Sequence, residues 1–222
     1  MLNLIIKDIV IQKKIFLYVL LCSILLPISF YAYKLGGLVL YVLFPILATY
    51  TFITYGVTYD DKNKSEIILN SLPLNRVDIV ISKYISIFVF AVIGIIYSVL
   101  IGFIGRSAGL SMFNSSISLV DIILVLTSVS IFGAIFFLTY FKFGYMKSRI
   151  FNTVIIVAMI FLPMEAIPFA AGNPNNILVQ KFNYLISNMS GFVLNFLTLI
   201  IGFIIFFVSL LISIRIYNNK EF

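Results

Sequence analysis

The chain of 222 residues contains no histidine, no tryptophan and a single cysteine, Cys22. Without histidine, a Ser-His-Asp or Cys-His nucleophile system cannot be built. One cysteine cannot close an intramolecular disulfide. A metal site needs clustered carboxylates, cysteines or histidines, and only Asp60 and Asp61 adjoin, where an apolar stretch ends. We therefore expect no metal, no cofactor and no catalytic residues in this chain.

A phosphate-binding loop of the form Gly-x-x-x-x-Gly-Lys-Ser/Thr is also missing. None of the 12 glycines has that setting. The backbone of such a loop cradles the phosphates of a nucleotide. The chain is therefore not expected to hydrolyse ATP, and any ATP-driven motor has to be another polypeptide.

Charge is scarce: only 10% of the residues are charged, 62% are hydrophobic, and the mean hydropathy is +1.17. A soluble domain carries about 25% charged residues, so a water-exposed globule is excluded. The net charge of +7 does not indicate nucleic-acid binding, because the basic residues lie in short segments between apolar runs.

Six apolar stretches are long enough to cross a bilayer core of about 30 Å, which takes about 20 helical residues. No alternating barrel pattern is present, so we interpret these stretches as helices. The sequence predicts one all-α integral membrane domain over residues 1–222. The predicted spans are residues 15–33, 37–59, 84–104, 119–140, 150–171 and 191–214.

Basic residues are distributed unequally between the two sides of these spans. One side carries 12 of them, near both chain ends and in the segments 60–83 and 142–149, and the other side carries Lys34, Arg106 and Lys181. The basic side of a membrane protein is cytoplasmic. The even number of spans then places both termini in the cytoplasm, as in a multi-pass membrane protein.

Residues 2–14 show the i, i+3, i+4, i+7 spacing of an amphipathic helix, with an apolar side that includes Leu2, Ile5 and Ile9. Lys7 and Lys14 fall on the opposite side. Such a helix lies in the headgroup plane, where its lysines meet anionic lipid. The alternative interpretation is that it simply extends the first span.

The segment 60–83 is the longest and most charged cytoplasmic piece. Asn63 and Glu66 have the spacing of a capping box that opens a short helix, and Pro73 ends it. Asn75 then caps a second helix, with Asp78 near its positive end. This arrangement is either a protruding contact for a cytoplasmic partner or an ordinary interfacial loop.

The run Glu66-Ile-Ile-Leu-Asn-Ser-Leu-Pro-Leu-Asn-Arg-Val-Asp-Ile-Val-Ile-Ser-Lys-Tyr84 resembles the first cytoplasmic loop of small bacterial ABC-2 type transporter permeases. The run Phe143-Gly-Tyr-Met-Lys-Ser-Arg149 is similar to their second cytoplasmic loop. The resemblance extends over essentially the whole chain.

This resemblance implies a permease that dimerises, with a second copy or a paralogous permease, and binds separate cytoplasmic ATPase subunits through a coupling helix. ATP binding then drives alternating access and export, and small members often export peptides, including bacteriocins, lantibiotics and phenol-soluble modulins. Carried over by position, the contact residues for the ATPase are Glu66, Leu69, Leu72, Pro73, Arg76 and Asp78. Tyr145, Lys147 and Arg149 form a second contact, or serve only as positive-inside anchors.

Glu165 is the notable carboxylate within a span, flanked by Pro163 and Pro168, which we expect to break the fifth helix near its outer end. It either faces the translocation path, where it contacts a cationic substrate, or lies at the outer interface. Asp121 is expected at the N-terminus of the fourth span, where the helix dipole favours it. The alternatives to an ATP-driven exporter are a secondary transporter or membrane scaffold without an ATPase, and an intramembrane enzyme.

Overall fold

The computed structural model describes residues 2–29, 36–71, 75–109, 113, 116–172, 176, 180 and 190–220. Within these residues the regular structure is helical and no strand occurs. The helices are α1 (Leu2–Ile11), α2 (Lys13–Ser29), α3 (Gly36–Leu38), α4 (Phe44–Lys62), α5 (Ser65–Ser71), α6 (Arg76–Ser107), α7 (Leu119–Gly172) and α8 (Gly191–Asn218). A π-helical stretch, Val39–Leu43, separates α3 from α4.

Four described helices are long and apolar enough to cross a membrane, namely Val39–Lys62, Arg76–Ser107, Leu119–Val154 and Gly191–Asn218. The pair Leu2–Ile11 and Ile15–Ile28, bent by 66°, makes a fifth when it is counted as one span. These match the first, second, third, fourth and sixth predicted spans. The predicted fifth span falls inside α7, and a total of six crossings stays a prediction.

The second membrane helix changes its winding just before Pro45. The Phe44 N–H donates to the Val39 carbonyl, five residues back, as in a π-helix. Proline lacks the N–H that an α-helix needs and its ring crowds the preceding turn, and a π turn is one way to accommodate it. The backbone of Pro45 then packs closely on α6, where a Cβ at Gly94 would lie 3.1 Å from the Pro45 Cα.

The longest helix, α7, is broken at one residue, Gly144, with φ 77° and ψ 176°. This backbone region is essentially restricted to glycine, so the sequence marks the break. The predicted loop between the fourth and fifth spans is therefore reduced to this break, with helix on both sides. The backbone of α7 remains helical through Pro163 and Pro168, so the predicted break there is not observed. Membrane helices tolerate proline because neighbouring groups satisfy the freed carbonyls.

Aromatic side chains and a chain of hydroxyls hold α6, α7 and α8 together. The Tyr84 ring, 1% exposed, packs edge-on to Phe206 with the ring centroids 5.0 Å apart. The Tyr84 hydroxyl lies 2.9 Å from Ser209 Oγ and 2.7 Å from Ser213 Oγ. Ser209 in turn donates to the Ala134 carbonyl. Inside an apolar bundle such hydroxyls link helices because each one finds a partner.

Ser118 and Asp121 cap the N-terminus of α7 reciprocally. The Ser118 N–H donates to Asp121 Oδ2 at 2.8 Å, and the Asp121 N–H donates to Ser118 Oγ at 3.2 Å. The prediction that Asp121 lies at the start of the fourth span is confirmed.

Candidate functional site

The four segments that carry the 12 basic residues meet at one end of the molecule. α1 contacts the C-terminal end of α4 and the first turns of α6 through ion pairs. Thr58 in α4 is hydrogen-bonded to Tyr145, just after the α7 break. Arg76, at the start of α6, reaches the end of α8. We call this region the basic end. It contains the described residues among those predicted to contact an ATPase.

A buried ion cluster lies at the centre of the basic end. Lys83 Nζ donates to both carboxylate oxygens of Asp8, at 2.9 and 3.1 Å, and to Asp60 Oδ2 at 2.5 Å. Lys7 Nζ lies 3.0 Å from Asp60 Oδ1 and 3.5 Å from Asp8 Oδ1. The Ser86 hydroxyl lies 3.3 Å from Asp8 Oδ2. The cluster therefore joins α1, α4 and α6.

Two cations face two carboxylates, so the cluster is electrically neutral. The side chains of Asp8, Asp60 and Lys83 are only 5%, 4% and 9% exposed, and that of Lys7 is 30% exposed. Charges removed from water in this way are tolerated only when they are paired and hydrogen-bonded. All three ammonium hydrogens of Lys83 have a carboxylate oxygen within reach. The pairing makes the relative placement of the three helices specific.

The polar side of α1 faces the protein. Asp8 and Gln12 are 4% and 0% exposed, whereas Leu2, Ile6 and Val10 are 76%, 54% and 50% exposed. Gln12, between α1 and α2, donates through Nε2 to the Phe52 carbonyl at 2.8 Å. The segment is helical as predicted, and it is bent by 66° from the helix that follows. Its position in the headgroup plane stays a prediction, as does the alternative that it extends the first span. Lys7, however, pairs with protein carboxylates, where we had expected lipid.

The short helix α5 follows α4 after a two-residue turn. Asn63 ends α4 and donates through Nδ2 to the Tyr59 carbonyl, and Lys64 adopts a positive φ of 51°. The prediction that Asn63 opens the short helix is therefore wrong, since α5 begins at Ser65. It ends at Ser71, ahead of Pro73 as predicted. The side chain of Glu66, and Leu72 and Pro73, lie outside the described residues.

Two neighbouring apolar residues of α5 point in different directions. Ile68 is 58% exposed, whereas Leu69 is half-buried and packs against the core. Leu69 lines a water-sized cavity together with Asp60 and Lys83 of the ion cluster. The described part of α5 thus offers Ile68 to a partner and Leu69 to the chain's own ion cluster.

Two further predicted contact residues lie in the first turn of α6. Arg76 Nη1 donates to the carbonyls of Asn218 and Lys220, at 3.0 and 3.1 Å. These carbonyls belong to the end of α8, where a cation also interacts well with the helix dipole. Asp78 is half-buried near the N-terminus of α6. Asn75 is the N-cap residue as predicted, but its side chain makes no capping hydrogen bond.

The three residues of the second predicted contact, Tyr145, Lys147 and Arg149, differ in their surroundings. The Tyr145 hydroxyl is hydrogen-bonded to Thr58 Oγ1 at 2.7 Å, so it fastens α7 to α4. Lys147 and Arg149 are exposed on the same turns of α7. Glu165 lies within the helical range of α7, and its side chain is outside the part of the chain that the structure describes.

The ion cluster was not foreseen from the sequence. One local signal was available, because Asp8 and Gln12 are four residues apart and so share one face of the helix predicted over residues 2–14. The partners of Asp8 could not be deduced, since Lys83 is 75 residues away along the chain.

The comparison with protein families agrees with this architecture. A family model described as an ABC-2 family transporter protein matches residues 3–218. Searches of the curated proteins and of the solved structures gave no significant match. The match includes all the segments of the basic end and confirms the resemblance inferred from residues 66–84. The chain, a multi-pass membrane protein, therefore belongs to the ABC-2 transporter family.

Proposed function

We propose that the chain is the permease subunit of an ATP-driven exporter in the bacterial cytoplasmic membrane. It dimerises with a second permease, binds separate ATPase subunits at its basic end, and exports an amphipathic substrate, of the peptide class, by alternating access. The observation that carries this proposal is the buried ion cluster directly behind α5. Family membership supplies the general expectation of an ATPase partner.

The ion cluster suits the transmission of force from α5 into the membrane. α5 is tethered to α4 by a two-residue turn. Asp60, in the last turn of α4, is bonded to Lys83 of α6 and to Lys7 of α1. An ATPase that displaces α5 therefore moves α4, α6 and α1 as one unit, because separating these helices exposes unpaired charge in an apolar surrounding.

We place the basic end in the cytoplasm on the 12 to 3 distribution of basic residues. The connectivity supports our proposal of six crossings. Tyr145 lies at the basic end, next to Thr58, whereas α8 starts at Gly191 and returns to the basic end at Asn218. The chain between them has to pass to the opposite end, and the second part of α7 is the helix available for that passage.

The test is purification of the tagged permease, co-expressed with its cytoplasmic ATPase, in mild detergent. Wild-type permease should retain the ATPase in a fixed ratio. Ile68→Asp should abolish retention and leave the permease folded, because this side chain is exposed on α5. Leu69→Asp places a charge beside the ion cluster and should lower thermal stability as well.

Asn219→Asp is the matched control, since it adds a carboxylate at an exposed position of the same end. It should leave ATPase retention intact. If wild-type permease retains no ATPase, the proposal fails in favour of a secondary transporter or scaffold. If Ile68→Asp retains the ATPase like the control, α5 is not the contact.

A further inference from the structure

A cavity of about 330 Å³ opens between α4 and the part of α7 that follows Gly144. A volume of this size is within the range of small-ligand sites. Its wall from α4 includes Tyr50, Thr54 and Thr58, and its wall from α7 includes Arg149 and Asn152. The lining is about as polar as it is apolar. The ion cluster is not part of it.

Asn152 is the unusual residue in this wall. It is 1% exposed, and neither its amide nitrogen nor its amide oxygen has a hydrogen-bond partner among the described residues. A buried amide without partners costs about 1–3 kcal/mol. Most buried polar side chains in folded proteins do have partners, so this amide calls for a partner beyond the described residues.

The other polar groups define what the cavity can bind. The Thr54 hydroxyl donates to the Tyr50 carbonyl, so toward the cavity it offers a lone pair. The Thr58 hydroxyl donates to the Thr54 carbonyl and is also hydrogen-bonded to the Tyr145 hydroxyl. Arg149 is exposed at the wall and has no anionic partner among the described residues. Among the described residues, no acidic side chain lines the cavity. A suitable ligand thus combines an anionic group for Arg149 with a donor and an acceptor for Asn152.

We propose that this cavity binds a segment of the exported peptide, with Asn152 hydrogen-bonded to a backbone amide and Arg149 paired with a peptide carboxylate. A peptide group presents one N–H and one C=O, which match the acceptor and the donor of the Asn152 amide. A phosphate group offers acceptors only and leaves the Asn152 oxygen without a donor, whereas one peptide group satisfies both atoms of the amide. This site rests on the proposed function, since it assigns the substrate to one place in the permease.

The absence of tryptophan provides a direct reporter. In a Tyr50→Trp background, the single tryptophan lines the cavity and its fluorescence follows occupancy. The probe is a synthetic 20-residue amphipathic peptide without tryptophan, aspartate or glutamate, prepared with either a free or an amidated C-terminus. Purified permease in detergent is titrated with each form.

The free-acid peptide should bind about tenfold more tightly than the amidated peptide, because only the free acid pairs with Arg149. Arg149→Gln should remove this preference, and Lys142→Gln, an exposed cation outside the cavity, should keep it. Asn152→Leu should lower the affinity for both peptides by about tenfold. Asn195→Leu on α8 is the control for the same exchange elsewhere.

Folding is followed by thermal unfolding of the same samples. Asn152→Leu removes an unpaired buried amide, so its melting temperature should equal or exceed that of the parent. A marked fall would mean that the amide is already paired within the protein, which overturns the proposal. Arg149→Gln tests the site independently, because this residue is exposed.

Three results of the titration would also overturn the site. The first is that neither peptide binds, which indicates a water-filled cavity, and the second is that all variants bind the peptides equally. The third is that phosphatidylglycerol displaces the peptide and gives a matching signal alone. ATPase retention is measured on the same variants. Retention without peptide binding rejects the cavity and leaves the proposed function standing. Peptide binding without retention rejects the ATPase coupling.

Discussion

Replacing Lys83 by methionine tests whether the ion cluster holds the basic end together. Methionine is similar in length and apolar, so the exchange removes the charge with little loss of packing. Lys7, 30% exposed, then remains as the single cation for the Asp8 and Asp60 carboxylates. Both carboxylates are buried, at 4% and 3% exposure. The cluster would carry one uncompensated negative charge in a water-poor surrounding.

Removing one partner of a buried ion pair costs about 3–5 kcal/mol. For a chain of this size that corresponds to a fall in melting temperature on the order of 10 °C. The measurement is thermal unfolding of the purified permease in detergent. Lys62→Met is the matched control, because Lys62 is exposed in the last turn of α4. Its loss should cost less than about 1 kcal/mol.

Charge balance, and not the lysine as such, is the reason for this expectation. The double variant Lys83→Met with Asp8→Asn restores neutrality and keeps the Lys7–Asp60 pair at 3.0 Å. It should therefore recover a substantial part of the lost stability, so that the two changes couple favourably in a double-mutant cycle. If Lys83→Met behaves like the control, or if adding Asp8→Asn lowers stability further, the charge-balance argument is refuted.

Two further variants test the break in α7 and the hydroxyl chain. Gly144→Ala should lower the free energy of unfolding by about 1–3 kcal/mol, because φ 77° with ψ 176° is a glycine conformation. No neighbouring atom obstructs a methyl group there, so the loss reports the backbone alone. Thermal unfolding measures it. Tyr84→Phe should also lower the free energy of unfolding by about 1–3 kcal/mol, since Ser209 and Ser213 lose a buried partner. The double variant Tyr84→Phe with Ser213→Ala should lose less stability than the sum of the two single variants.

A matched control exists for each of these variants. Gly191→Ala, at the start of α8, also meets open space but lacks the positive φ, and should change stability little. An equal loss for Gly144 and Gly191 would contradict the backbone argument. Tyr18→Phe removes a hydroxyl from an exposed position on α2 and should be neutral. A comparable loss there would contradict the argument from buried hydrogen bonds.

The membrane helices could be predicted from the sequence because the bilayer imposes a length and a composition on each of them. Single-residue signals with a local cause were also readable. The last residue of α5 is Ser71, ahead of Pro73 in the sequence, and Asp121 lies in the first turn of α7. The same local reasoning misassigned Asn63, because the pattern that caps the start of a helix also fits the end of the preceding one.

The ion cluster could not be predicted from local sequence patterns, because its residues are far apart along the chain. Asp8 pairs with Lys83 and Lys7 pairs with Asp60, at separations of 75 and 53 residues. The amphipathic pattern of α1 predicted a helix but left open which side faces the protein. In a membrane, lipid accepts the apolar side, so the polar side is free to pack inward, as Asp8 and Gln12 do.

The pairing of Asp8 with Lys83 also constrains the order of events during synthesis. The aspartate leaves the ribosome 75 residues before its lysine partner. At roughly 5–20 residues per second, that interval lasts roughly 4–15 s. Throughout it, the first helix cannot take its final position, because the Asp8 carboxylate still lacks Lys83, which donates to both of its oxygens. Docking of the N-terminus therefore has to wait until the third membrane helix begins to emerge, so the first segment to be translated completes its packing only after later segments have been made.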